Sequence, residues 1–304
     1  MAKITYTPKK FSIKSEIIIN QANDIIEEYQ RKGFSLTLRQ LYYQFVARDL
    51  IPNKQTEYKR LGSIISDARL AGKIDWYAIQ DRTRNLKGNS HWSSPSQIIQ
   101  SCASQFKYDL WKDQDNYVEV WIEKEALVGV ISSICLQLDV NYFACRGYNS
   151  QTEAWNAGQR VRHQIAMGKK VTILHLGDHD PSGIDMTRDN DDRTKLFADD
   201  PIGQDVTIKR IALNMDQVEE YNPPPNPAKM TDSRFQGYID EYGESCWELD
   251  ALDPEVIQRL VEGEVDALRD YSKWNDAINR QQRARDLIQA VADNWEEIEE
   301  TYAK

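Results

Sequence analysis

The sequence predicts an α/β fold in three stretches: a helical N-terminal domain ending in a strand and turn, a parallel sheet with crossover helices, and an acidic helical C-terminal region. Three observations predict it. Apolar residues recur at helical spacing in three successive segments before residue 71. Short apolar runs then alternate with helical stretches between residues 117 and 213. Charge also divides between the parts: residues 1–110 hold 17 Lys and Arg against 10 Asp and Glu, a net of +7, within a chain whose total is −10. The expected domains are 1–110, 111–270 and 271–304.

In the first domain, residues 15–32 carry Ile18, Ala22, Ile25, Ile26 and Tyr29 on one face, and Gly33 follows as a helix stop. Thr37 and Gln40 form a T-x-x-Q capping box for a helix over 38–49, with Leu36 and Leu41 spaced as a hydrophobic staple. A third helix is expected over 56–70, ending at Ala71-Gly72. Residues 73–79 alternate like a strand, and Arg82, Arg84, Lys87 and Gly88 read as the turn beyond it. Helices followed by such a wing form the winged-helix arrangement, whose last helix commonly docks in a DNA groove.

The second domain reads as strands at 117–123, 140–145, 171–176 and 206–213, with helices at 126–138 and 152–167. Residues 247–249 are a further candidate strand, Pro254 opens a long helix, and the tail from about 273 is helical and acidic. With 40% hydrophobic and 28% charged residues among 304, the chain can bury a core and is neither disordered nor membrane-spanning in composition. The opening residues lack the apolar run of a signal peptide, which predicts a cytosolic protein. Four scattered cysteines, with no CxxC pair, indicate neither a zinc site nor a disulfide framework.

In an open parallel sheet, functional groups collect beyond the carboxyl ends of the strands. One expected strand runs into Glu123-Lys124-Glu125, and another into Gly177-Asp178-His179-Asp180-Pro181-Ser182-Gly183. In an extended segment Asp178 and Asp180 share a side and His179 points away. Glu123, Asp178 and Asp180 would then supply the oxygen ligands that Mg²⁺ prefers. Glu119, in mid-strand, and Glu125, at a helix start, read as structural.

The helix at 38–49 offers a second site. Leu38, Leu41, Tyr42, Phe45 and Val46 fall on one apolar stripe, and Tyr43 lies off it with Arg39 one turn earlier. An exposed phenol beside a guanidinium suits a tyrosine nucleophile, because the cation favours phenolate and can grip a phosphate.

Taken together these motifs resemble a family. Arg39-Gln-Leu-Tyr-Tyr43 is similar to the R-x-x-[YF]-Y signature of the topoisomerase VI A subunit and its relative, the meiotic double-strand-break protein. Glu123-Lys124 and Asp178-His-Asp-Pro-Ser-Gly183 resemble the acidic motifs of that family's toprim domain, and the order of the two parts is the family's. The resemblance covers roughly residues 30–270. It implies that Tyr43 attacks a DNA phosphodiester and stays joined to the 5′ end, with Arg39 and Glu123 assisting and Mg²⁺ or Mn²⁺ held by Glu123, Asp178 and Asp180. It implies a homodimer in which the tyrosine of one protomer meets the metal site of the other on double-stranded DNA. No G-x-x-x-x-G-K-[ST] loop is present in the sequence, so strand passage would need a separate ATPase subunit.

Lys59, Arg60, Arg69, Lys73, Arg82 and Arg84 cluster on the expected third helix and wing, where they would neutralise phosphates without reading sequence. The acidic residues after 237 would face away from the duplex. Two other readings stay open: a toprim nuclease that hydrolyses DNA with activated water and no covalent intermediate, and a winged-helix DNA-binding regulator without turnover. The expected location is cytoplasmic, on the nucleoid in a bacterium.

Overall fold

The computed structural model describes residues 3–80, 88–200, 202–227 and 234–302. Helix α1 (Ile13–Arg31) starts where the Ser12 side chain accepts from Ser15 N–H, and it buries Ile18, Ile19, Ala22, Ile25, Ile26 and Tyr29. Helix α2 (Leu38–Ala47) carries the full capping box, Thr37 and Gln40 each bonding the other's backbone. Helix α3 (Gln55–Leu70) buries Leu61, Ile65 and Ala68 against the first two. Gly72, at φ +70°, then turns the chain closely past Thr5, whose Oγ1 would stand 2.5 Å from any Cβ there.

The strand expected at 73–79 does not form. Asp75 accepts from Tyr77 N–H at 2.9 Å, and Ala78 N–H bonds the Asp75 carbonyl at 3.2 Å, so a turn replaces the ladder. The alternation in sequence instead reflects burial of Ile74, Ala78 and Ile79 in the helical core, with one isolated bridge from Ile79 to Leu36. The expected turn with Arg82, Arg84 and Lys87 lies outside the described residues.

Strands β1 (Asn116–Ile122), β2 (Asn141–Ala144), β3 (Lys170–Leu176) and β4 (Val206–Ala212) form one parallel sheet in the order β2-β1-β3-β4. The crossovers are α5 (Val128–Gln137), α6 (Gln151–Ala166) and α7 (Pro181–Ala198). Val118, Val120 and Ile122 of β1 enter the core shared with α5 and α10 (Pro254–Leu268), whereas Trp121 packs with α6 and α7. Glu119 takes hydrogen bonds from Tyr117 Oη and Trp121 Nε1, both at 2.8 Å, and pairs with Arg160. Such a saturated buried carboxylate is structural, as expected.

From β1 the chain crosses to β2 on one side, and from β3 to β4 on the other. The carboxyl ends of β1 and β3, paired at Ile122 and Leu176, therefore flank the switch point of the sheet. After β4 come α8 (Met215–Tyr221), a two-residue pair of β5 (Asn226–Pro227) with β6 (Ser245–Cys246), α9 (Phe235–Tyr242) between them, and a 3₁₀ turn Leu249–Ala251.

Helix α4 (Pro95–Gln105) falls inside the expected first domain, yet it packs on α11 (Tyr271–Asp293): Ser96 Oγ donates to the Ala292 carbonyl at 3.1 Å and Arg285 Nε to that of Phe106 at 2.8 Å. The helical unit thus ends near residue 80 rather than 110. The tail closes with α12 (Trp295–Tyr302). The two units are joined through 248–255: Tyr29 Oη donates to Asp253 at 2.6 Å, and Ala251 belongs to the N-terminal core. Among the described residues no helix is long and apolar enough to cross a membrane.

Candidate active site

The loop leaving β3 is built from its glycines and its cap. A Cβ on Gly177 would stand 3.0 Å from Glu123 Oε2, and one on Gly183 would stand 2.1 Å from the Asp178 carbonyl oxygen. Gly183 admits no side chain against that backbone oxygen, whereas at Gly177 a side chain would only push the Glu123 carboxylate aside by a few tenths of an ångström. Asp180 caps α7, its Oδ1 accepting from Ser182 Oγ at 2.9 Å and Gly183 N–H at 2.7 Å, and Pro181 occupies the first helical turn where no N–H is needed. The string D-P-S-G is therefore one capping device. It turns the chain so that Asp178 N–H meets Glu123 Oε2 at 2.9 Å.

Behind this loop Arg210 of β4 donates to the carbonyls of Gly177 (2.9 Å), Asp178 (2.6 Å) and Gly183 (3.0 Å). Burial brings its guanidinium down to about 10, against the pull of Glu123 and Asp178. His179 turns from Asp178, as expected: its backbone bridges Trp247, and its Nδ1 lies 2.7 Å from Tyr238 Oη.

In front of the loop the charges converge. Lys124 Nζ lies 2.9 Å from Asp178 Oδ1, 2.9 Å from Glu248 Oε2 and 3.0 Å from Asp250 Oδ1. Arg39 of α2 reaches the same acids, its Nε 2.8 Å from Asp250 Oδ2 and its Nη2 on Glu248. Tyr43 Oη accepts from Arg39 Nη2 at 3.5 Å. A continuous path thus runs from Tyr43 through Arg39, Glu248 and Asp250 to Lys124, and from there to Asp178 and Glu123. Burial and the neighbouring Asp178 push the Glu123 carboxyl up to about 7. Burial opposes ionisation of Glu248 as well, but Lys124 and Arg39 hold it down at about 2.

Two expectations about the tyrosine are corrected. Tyr43 is not outward-facing: it is 3% exposed, because the polar side of α2 is covered by the Leu249–Ala251 turn rather than by water. Its phenol is shifted up, by burial first and then by Asp250 and Glu248, and Arg39 does not offset them. In this conformation the phenol stays protonated. It borders a cavity of about 250 Å³ with Arg39, Tyr42, Lys54, Tyr58 and Glu248.

The three expected metal ligands gather at the switch point without forming a finished cage. Among the described residues no group of three or more His, Cys, Asp or Glu is arranged to hold a metal ion. Glu123 Oε1, Asp178 Oδ2 and Asp180 Oδ2 nonetheless take no hydrogen bond from the described residues, their partner oxygens serving the backbone, Ser182 and Lys124. That donor set is hard oxygen throughout and fits Mg²⁺ or Mn²⁺ by its chemistry.

The expected phosphate contacts are corrected in part. Arg69 Nη2 donates to the Trp76 carbonyl at 2.7 Å with its guanidinium over that indole, and Lys73 Nζ pairs with Glu16 at 2.8 Å. Both serve the turn that replaces the strand. Arg60 is exposed and paired with Glu57 at 2.5 Å, Lys59 is exposed, and Arg82 and Arg84 lie outside the described residues.

Sequence reading missed the roles of Lys124, Arg210, Glu248 and Asp250. A signal was present for the last two: in Trp247-Glu-Leu-Asp-Ala-Leu252 two acids interrupt an apolar run at a spacing of two, which marks carboxylates carried into a core. Comparison of the chain with protein families, curated proteins and solved structures finds no match.

Proposed function

We propose that this protein cleaves double-stranded DNA by tyrosine transesterification, in the manner of the topoisomerase VI A family, with the helical N-terminal unit bearing Tyr43 and a toprim-like parallel-sheet unit bearing the carboxylates. The observation that supports the reading is the path of hydrogen bonds and ion pairs that links Tyr43 through Arg39, Asp250 and Lys124 to Asp178, whose backbone N–H bonds Glu123. Tyr43 Oη would attack phosphorus, the bond to the 3′ oxygen would break, and the phenolic proton would finish on that oxygen, leaving the 5′ end on the tyrosine. Held by Glu123, Asp178 and Asp180, Mg²⁺ or Mn²⁺ would supply stabilisation of negative charge on the phosphoryl and 3′ oxygens. Arg39 would bind the phosphate, and Glu123 would assist through the metal ion it helps to hold. A homodimer would cut both strands, and a separate ATPase subunit would be needed for strand passage.

The path in this structure lies within one chain, whereas the family pattern pairs a tyrosine with its partner's metal site. The proposal therefore includes a rearrangement on DNA that exposes Tyr43. Incubation with supercoiled DNA and Mg²⁺ or Mn²⁺ followed by denaturing electrophoresis tests it: a covalent protein–DNA adduct is expected, lost in Tyr43→Phe.

One observation favours a second reading. Tyr43 is buried, while the Glu123 carboxyl, pushed up by burial and Asp178 at the open end of the sheet, faces the space where a water nucleophile would stand. Cleavage that leaves no adduct and survives Tyr43→Phe would assign the protein to toprim nucleases.

A further inference from the structure

Glu248 stands where four donors meet, the Tyr43 hydroxyl being one of them. Arg39 Nη2 contacts it, Lys124 Nζ is 2.9 Å away, and Asn226 Nδ2 donates to its other oxygen at 3.5 Å. A carboxylate so surrounded has the environment of a bound phosphate: a guanidinium, an ammonium and an amide on one anion. Its neighbour Asp250 contacts the same two cations but is 2% exposed at the side chain, whereas that of Glu248 is 26% exposed and forms part of the wall of the cavity at Tyr43. One acid is a fixed anchor and the other borders open space.

We propose that Glu248 is a removable gate: its carboxylate occupies the seat of a DNA phosphodiester, and Arg39, Lys124 and Asn226 bind that phosphate beside Tyr43 once the Glu248 side chain rotates out. The choice of a phosphodiester as ligand rests on the DNA-cleaving reading above. The exchange preserves local charge, since a phosphodiester and a carboxylate each carry one negative charge, while Asp250 and Asp178 continue to hold the two cations. It also requires no refolding of the loop. Trp247 and His179 are joined by two backbone hydrogen bonds of 2.8 and 2.9 Å, and Leu249 N–H bonds Asp178 Oδ1 at 2.7 Å, so the backbone on both sides of Glu248 is pinned. Only the Glu248 side chain has to move to open the seat; the rearrangement that exposes Tyr43 is a separate step.

The test measures binding without cleavage, using a short DNA duplex and, separately, inorganic phosphate, with chelator present. Glu248→Gln should bind the duplex about tenfold tighter than the unaltered protein, the gain of one charge-assisted contact. Inorganic phosphate should raise its melting temperature more than that of the unaltered protein. Glu255→Gln, which removes an exposed charge from the Lys32 pair on a neighbouring helix, controls for overall electrostatics and should change binding less than twofold. Adding Arg39→Gln to Glu248→Gln should cancel the gain. A gain no larger than that of Glu255→Gln, or one that persists without Arg39, overturns the gate. Should Glu248→Gln fail to fold, Glu248→Ser, which also removes the carboxylate, provides the same comparison. Adduct formation separates the two proposals: tighter binding with no adduct keeps the phosphate seat and rejects transesterification, whereas an adduct with no gain in binding rejects the gate alone.

Discussion

The edge of the sheet and the helical N-terminal unit are both rich in charge, and they use it in opposite ways. At the sheet edge Lys124 and Arg39 meet Asp178, Glu248 and Asp250 in a space so enclosed that the Asp250 side chain is 2% exposed. In the helical unit the basic residues are spread over the surface, and several are individually satisfied: Lys73 by Glu16, Lys9 by Asp67, Arg60 by Glu57, Arg69 by backbone carbonyls. The net of +7 over residues 1–110 already subtracts Glu16, Asp67 and Glu57, so the excess positive charge sits on basic residues outside these pairs, spread over the surface rather than gathered at one point. Chemistry is to be sought where charges are crowded and desolvated, because only there are ionisation states held far from their values in water.

The largest expected effect breaks the crowded side of this comparison. Lys124→Met leaves Asp178, Glu248 and Asp250 short of a shared cation inside the protein, and unpairing buried charge costs about 3–5 kcal/mol. Urea unfolding should show that loss. A cost below about 1 kcal/mol, the range of an exposed pair, would mean that water enters the cluster.

The next effect is a pH dependence from the interior of the same sheet. His175 is fully buried, and desolvation with Arg210 nearby lowers it to about 3 from an ordinary 6.5. The unfolded chain takes up a proton below pH 6.5 that the folded protein refuses. Stability from this group is thus complete above pH 6.5 and is lost as the pH falls toward 3, by about 1.4 kcal/mol per pH unit. His179, lowered to about 4 by burial, adds to the same slope. Unfolding free energies measured from pH 7.5 down to 4.5 should fall accordingly, and His175→Gln should flatten the curve. An unchanged slope in that variant would place the titration elsewhere.

Local signals in the sequence were reliable where the chain itself supplies the partner. The Thr37–Gln40 box and the stop at Gly33 rest on contacts within a few residues, and the four strands were legible from their short apolar runs although their parallel partners lie about 20–55 residues away. The misses have tertiary causes. Helix α7 showed no apolar stripe because its buried face includes Asn190 and Thr194, the former held by Asn149 at 2.9 Å. The alternation at 73–79 lost to an Asp75 turn fastened by Arg69. Tyr43 read as exposed because α2, taken alone, does have a polar side; that side is closed by a turn more than 200 residues later in sequence. The same long-range contact gave Glu248 and Asp250 their partners.

The smallest expected effect sharpens the diffuse side, through Arg69 and Lys59 on α3. Their side chains carry the same charge and lie on one helix, but Arg69 is committed to the Trp76 carbonyl and indole while Lys59 is exposed. Arg69→Gln should cost about 1–3 kcal/mol by leaving the Trp76 carbonyl without its charged donor, and should leave the salt dependence of DNA binding unaltered. Lys59→Gln should change stability by less than about 0.5 kcal/mol, as other surface substitutions do. If Lys59 meets a phosphate, the same variant should lower the slope of log affinity against log salt by about 1, because one fewer counterion is released. Equal salt slopes for Lys59→Gln and the unaltered protein would show that Lys59 meets no phosphate, and its charge would then serve only the solubility of that face.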